Sequence, residues 1–158
     1  MKIERILVPT DFSETSQAAL QYARELTDKF QASLHILNVV LDPYTQPWAL
    51  EGFGPALPDL LNQFKAEAEK TLATLLPEVD RKRLNAHLVL RVGSPAAEIV
   101  QYSRDAKIDL IVMGTHGRGG VAHALLGSVA ERVVRLARCP VLTVRGSQGA
   151  AGSSTKVA

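Results

Sequence analysis

The stretch Asp109–Arg145, DLIVMGTHGRGGVAHALLGSVAERVVRLARCPVLTVR, decides the fold. It opens on Leu110-Ile111-Val112-Met113, a run too short for a helix and too apolar to alternate. Such a run predicts a strand buried on both faces of a parallel sheet. It stops at Gly114, and Gly117, Gly119 and Gly120 follow closely, a density that lets backbone N–H groups approach a ligand. Gly127-Ser128 then precedes an amphipathic helix with Ala130, Val133 and Ala137 on one face. Ser128 is expected at the N-cap, with the first N–H groups of that helix aimed back at the glycine loop. A strand end, a glycine loop and a helix N-terminus meeting at one place make a seat for phosphate.

Two common nucleotide motifs fail here. A P-loop requires Lys and Ser/Thr after its second glycine, whereas Gly120 and Val121 follow Gly119. The dinucleotide fingerprint is matched by Gly117, Gly119 and Ala122, but on the fourth strand unit rather than the first. No second strand ending in an acidic residue follows to hold a ribose. The pattern that does fit is Gly-x2-Gly-x9-Gly-Ser, made by Gly114, Gly117, Gly127 and Ser128. It resembles the ATP-binding signature of the universal stress protein family, and the resemblance extends from the Ile3–Ser13 segment through Arg145.

The remaining chain bounds the reading. Its 158 residues suit one domain with a single core, and 46% apolar with 22% charged residues is ordinary for a globular protein. A formal charge of +2 is too small to imply nucleic acid by itself. The lone Cys139 excludes an intrachain disulfide and suits a reducing compartment. Met1-Lys2 leads straight into a strand pattern and no apolar run approaches membrane-spanning length, so a cytoplasmic protein without membrane contact is expected.

In chain order, Ile3–Val8 reads as a buried strand ended by Pro9, and Thr10–Ser13 as a turn with Ser13 the N-cap of a helix to about Lys29. Ala32–Leu41 reads as the second strand. Asp42–Pro58, with four prolines, two glycines and Trp48, reads as a long irregular connection suited to a flap. Leu61, Phe64, Ala68, Leu72 and Leu75 trace a helix from Asp59 to Pro77, and Leu84–Val92 alternates as a third strand. Ser94-Pro95 opens a helix to about Ala106. Cys139-Pro140 breaks the last helix before a fifth strand, Val141–Val144. Residues 1–145 thus form one domain, and the Gly/Ser/Ala-rich residues 146–158 a disordered tail. The fold class is α/β, a single Rossmann-like domain with a five-stranded, parallel, doubly wound sheet and four helices.

Strand order is not readable from periodicity; the resemblance implies 3-2-1-4-5, which sets the ends of the first and fourth strands side by side. Asp11 would then face Gly114 where ligands bind in such sheets. Read alone, Asp11 is equally a turn or capping carboxylate. The resemblance implies that Asp11 contacts the base, together with Pro9, Thr10 and Val39. It also implies that Met113 and Gly114 line the adenosine, and that Gly117, Gly127, Ser128 and Val129 hold the phosphates. His116 reads as a turn residue with no partner for catalysis, and His116 with His123 lacks the companions of a zinc site. Arg132, Arg135 and Arg138 read as a solvated face of the last helix, whereas Arg118 stands near the phosphate end. Cys139 reads as a packing residue.

The expected function is an ATP-binding stress protein, with Mg²⁺ bridging the phosphates, working as a nucleotide-dependent switch or binding module with at most slow hydrolysis. The alternatives are an adenylyl- or phosphoryl-transferring enzyme with its substrate under residues 42–58, and an interaction protein that binds no nucleotide. A bulky residue at Gly114 or Gly127 is expected to abolish binding with the fold intact. The fifth strand (Val141, Leu142, Thr143, Val144) would end the sheet with unpaired backbone groups. The resemblance implies a homodimer formed by pairing it with its twin.

Overall fold

A computed structural model describes residues 2–46, 51–52, 54–115 and 127–145. Strand β1 (Arg5–Thr10) leads into helix α1 (Glu14–Phe30), then β2 (Ser33–Val40). Helix α2 (Leu57–Thr74) and the short α3 (Glu78–Arg83) precede β3 (His87–Val92). Helix α4 (Pro95–Asp105), β4 (Leu110–Gly114), α5 (Ser128–Leu136) and β5 (Val141–Val144) complete the described chain. The strands form one parallel sheet in the order β3-β2-β1-β4-β5. Among the described residues no helix is long and apolar enough to cross a membrane.

Two helical layers follow from the strand alternation. Ile6, Val8, Ile36 and Val112 point to the face covered by α1 and α2, where Ala19, Leu20, Ala23 and Leu72 meet them. Leu7, Leu37, Ile111 and Met113 point to the other face, against Ile99 and Val100 of α4 and Ala130 and Val133 of α5. Ile6, Leu7 and Ile111 are fully buried, and burying such a side chain contributes about 1.5–3 kcal/mol.

Proline 9 does not end β1, as its type suggests, but lies inside it. The Arg5 carbonyl accepts from the Asp109 N–H at 3.0 Å, so odd-numbered residues of β1 turn their backbone groups toward β4. Even-numbered ones face β2, as the Glu4 carbonyl does in accepting from the Ser33 N–H at 2.8 Å. The N–H that proline lacks would therefore point at β4, and the β1–β4 pairing stops at Leu7 opposite Ile111. On its β2 side the strand continues in register to Thr10 opposite Asn38.

Other boundaries shift for local reasons. Leu84 and Ala86 belong to no strand: α3 occupies 78–83, Leu84 caps it, and Asn85 is left-handed at φ 43°. Helix α3 is therefore one that the alternation of Leu84–Val92 does not suggest. The connection after β2 is also less irregular than expected. It holds single helical turns at Pro43–Thr45 and Gly54–Ala56, and α2 starts at Leu57 with Pro58 in its first turn, where no intrahelical donor is needed. Trp48 and the tail 146–158 lie outside the described residues. Helix α5 stops at Leu136, because Ala137 is already extended at ψ 144°, so Arg138 lies beyond the helix that carries Arg132 and Arg135.

Helices α1, α3 and α4 end alike. The residue after the last turn is left-handed, and the next N–H reaches back to the final turn: Ala32 to Thr27 O at 3.0 Å, Ala86 to Arg81 O at 2.8 Å, and Ile108 to Ser103 O at 2.8 Å. This is the Schellman closure, normally built on glycine; here Gln31 (φ 54°), Asn85 and Lys107 (φ 51°) occupy it. A Cβ at such a position costs about 1–2 kcal/mol. Lys107→Gly is therefore expected to raise stability by about 1 kcal/mol in urea unfolding, and an unchanged midpoint would refute the strain.

Candidate functional site

At the carboxyl end of β1 the chain turns into α1 through a web of short side chains. Asp11 Oδ1 accepts from the Ser13 N–H at 3.1 Å and from the Ser13 hydroxyl at 2.5 Å. Ser13 caps α1 as expected, accepting from the Ser16 N–H at 3.3 Å. The Thr10 hydroxyl accepts from the Phe12 N–H at 3.0 Å and meets the Ser16 hydroxyl at 3.0 Å. Phe12, at φ 66°, takes the strained corner. The Thr10 carbonyl accepts from the buried Asn38 side chain at 2.9 Å, which ties the turn to β2 just before Val39. Asp11 is thus an Asx-turn residue with one oxygen committed to Ser13, and it is only partly buried.

The end of β4 lies against that turn. A Cβ added to Gly114 would stand 3.0 Å from the Thr15 carbonyl carbon and 3.1 Å from its oxygen. A side chain there would press α1 backbone back by a few tenths of an ångström, so glycine at 114 serves the close packing of β4 on the first turn of α1. One residue later, the buried Thr115 donates its N–H to the Val144 carbonyl at 2.9 Å, and its own carbonyl accepts from the Gly127 N–H at 2.6 Å. This bond fixes the amino end of α5 beside the carboxyl end of β4.

Gly127, not Ser128, is the N-cap of α5, in an extended conformation (φ −71°, ψ 158°) that makes no side-chain cap. Ser128 is the first helical residue and is exposed. The first rung of the helix runs from the Glu131 N–H to the Gly127 carbonyl at 2.9 Å. Helix geometry therefore gives the N–H groups of Ser128, Val129 and Ala130 no acceptor within α5, and its dipole adds partial positive charge there.

Of the residues singled out from the sequence, Pro9, Thr10 and Asp11 stand at the end of β1, and Val39 near the end of the adjacent β2. Met113 and Gly114 end β4, and Gly127, Ser128 and Val129 open α5. These three groups converge at the carboxyl edge of the sheet, where its winding reverses between β1 and β4. Pro9, Thr10 and Met113 are buried, and the Thr10 carbonyl is already taken by the Asn38 side chain. Gly117, His116, Arg118 and His123 lie outside the described residues. The sequence reading missed Thr15, Asn38 and Thr115, which carry no pattern of their own and owe their importance to contacts between elements distant in the chain. Cys139 is partly buried against the α4–α5 face, and burial pushes its thiol pKa up, consistent with a packing residue.

The family model described as Universal stress protein family matches residues 2–145. Universal stress protein MJ0531 of Methanocaldococcus jannaschii is 38% identical over 143 residues, covering 90% of this chain and 82% of that protein. The solved universal stress protein UspA from Lactobacillus plantarum superposes with a TM-score of 0.79 at 30% identity, covering 92% of this chain and 99% of the other. A universal stress protein from Archaeoglobus fulgidus, solved in complex with dAMP, shares the fold at a TM-score of 0.62 and 21% identity, covering 91% and 99% of the two chains.

Close packing at Gly114 changes one expectation from the sequence. A bulky residue there meets α1 backbone, so Gly114→Val is expected to lower stability by about 1–3 kcal/mol in urea unfolding, whether or not any ligand binds. Stability equal to the parent protein would show that the strand end and helix can part at no cost.

Proposed function

The chain belongs to the universal stress protein family, and from that membership we propose that it binds ATP at the carboxyl edge of its sheet and works as a nucleotide-dependent switch. The observation that carries this reading is the Gly127–Thr115 hydrogen bond, which holds the open end of α5 beside the end of β4. The amide N–H groups of Ser128 and Val129, with the Ser128 hydroxyl, are donors suited to phosphate oxygens and need no lysine. The Asp11 carboxylate stands at this edge beside the end of β4, and Pro9, Val39 and Met113 supply apolar walls. The same fold accommodates dAMP in the Archaeoglobus fulgidus protein. Magnesium would bridge the phosphates from the ligand side. Binding, with at most slow hydrolysis, is the activity this reading assigns to the site.

Titration calorimetry with Mg²⁺ and ATP tests the assignment. Ser128→Ala removes a hydroxyl donor, and Gly127→Leu fills the phosphate seat at a φ that any residue adopts. Each is expected to weaken binding about tenfold or more, since a hydrogen bond to a charged group contributes about 1.5–3 kcal/mol. Unaltered affinity in both variants would place the nucleotide elsewhere. Turnover near 1 s⁻¹, a common enzyme rate, would instead favour a transferase or ATPase.

We also propose a homodimer through β5. This strand ends the sheet, with Leu142 40% exposed, and the Pro140 and Val144 carbonyls are both committed to β4. By alternation, Val141 and Thr143 turn their backbone groups outward, ready to pair with a second copy across a two-fold axis. Thr143→Pro removes an outward donor without touching the β4 ladder. Sedimentation velocity at micromolar concentration is expected to show a dimer for the parent protein and a monomer for this variant; a parent monomer would refute the pairing.

A further inference from the structure

On the face of the sheet covered by α4 and α5, a polar cluster interrupts the apolar packing. His35 of β2 is 8% exposed. Its Nδ1 lies 2.7 Å from the Tyr102 hydroxyl of α4, and its Nε2 lies 3.4 Å from the Ser33 hydroxyl. The register sets His35 opposite His87 of β3, and the two rings stack with centroids 4.6 Å apart and planes 24° from parallel. Arg5 of β1, two residues from the Leu7 that pairs with His35, reaches the Ala106 and Lys107 carbonyls at 3.5 and 3.4 Å. Over the Tyr102 ring sits the Arg91 guanidinium, 5.1 Å from the centroid and ion-paired to Glu98 and Asp105 of α4.

We propose that the stacked His35–His87 pair is an acid-sensitive latch that holds the carboxyl-terminal half of α4 on the sheet and releases it on protonation. The charged and titratable groups facing His35 are Arg5 from β1, His87 from β3 and Tyr102 from α4. The first two disfavour positive charge on His35, and the third is neutral. The nearby carboxylates, Glu98 and Asp105, are already taken by Arg91. A proton on His35 therefore enters a closed space beside groups that repel it, and among the described residues no carboxylate is paired with the ring.

Burial first, then His87 and Arg5, hold the His35 pKa down from 6.5 to about 4. The sign follows from proton counting. Undocking α4 lifts the burial while His87 and Arg5 stay on the neighbouring strands, so the undocked form binds a proton that the docked form refuses; docking is fully stabilised above pH 6.5 and weakens as pH falls toward 4. Undocking strips the partner from the Tyr102 hydroxyl and loosens the packing of α4 on α5, whose buried Ala130 and Val133 share its apolar cluster. The latch does not depend on the nucleotide reading.

Hydrogen exchange tests it directly, expressed as protection relative to intrinsic exchange at each pH. In the parent protein the Ala106, Lys107 and Ile108 amides are expected to lose about tenfold to a hundredfold protection between pH 7 and 4.5, while β1 at Ile6–Val8 does not. His35→Gln keeps a hydrogen-bonding side chain but cannot titrate, and should flatten this dependence. His87→Gln alters an exposed residue, removes one repelling charge and should move the loss to higher pH. Equal loss in His35→Gln, loss shared by β1, or an unmoved midpoint in His87→Gln would each overturn the latch.

Discussion

A hydrogen bond of 2.6 Å from the Gly127 amide to the Thr115 carbonyl sets where the carboxyl edge of the sheet presents its donors. Thr115 is buried and is itself held by β5 through the Val144 carbonyl, so the start of α5 inherits the rigidity of two strands. Close packing at Gly114 brings the turn after β1 to the same place, since Thr15 of α1 packs on that glycine. Acceptor-seeking amides from one element and a carboxylate from another are thus aligned by sheet geometry. Donors held this way need little rearrangement to meet an acceptor, which lowers the entropic cost of doing so.

How much of this was legible in the chain depends on the range of the cause. The buried strands declared themselves as unbroken apolar runs, and Ser13 announced its cap because capping is a local act. The order 3-2-1-4-5 came only through the resemblance to universal stress proteins, since pairing across the sheet joins residues far apart in sequence. Ser128 looked like a cap by type, yet Gly127 takes that position because its amide is drawn to Thr115. Leu84 and Ala86 carried a strand-like alternation, while the left-handed Asn85 between them closes a helix.

Histidine 35 illustrates a different limit. Nothing in its neighbourhood along the chain distinguishes it from an outward-facing polar residue, because the groups that neutralise its cost are Tyr102, 67 positions away, and His87 on the next strand. Among the described residues every buried side-chain nitrogen and oxygen has a hydrogen-bond partner, so the cluster is a finished network rather than a packing fault. Its position between the sheet and α4 makes one side of the molecule more sensitive to protons than the other, where α1 and α2 rest on aliphatic contacts.

Proline 9 has a lasting effect on the shape of the sheet. With no proton to offer toward β4, it leaves the two central strands unzipped beyond Leu7 and Ile111, although both continue further. The gap is written into a covalent ring, so it does not open and shut with solvent, pH or occupancy. A guest arriving there would not have to prise a ladder apart, and no guest leaving could let it close. The parting of the two strands is therefore a fixed feature of this edge of the sheet.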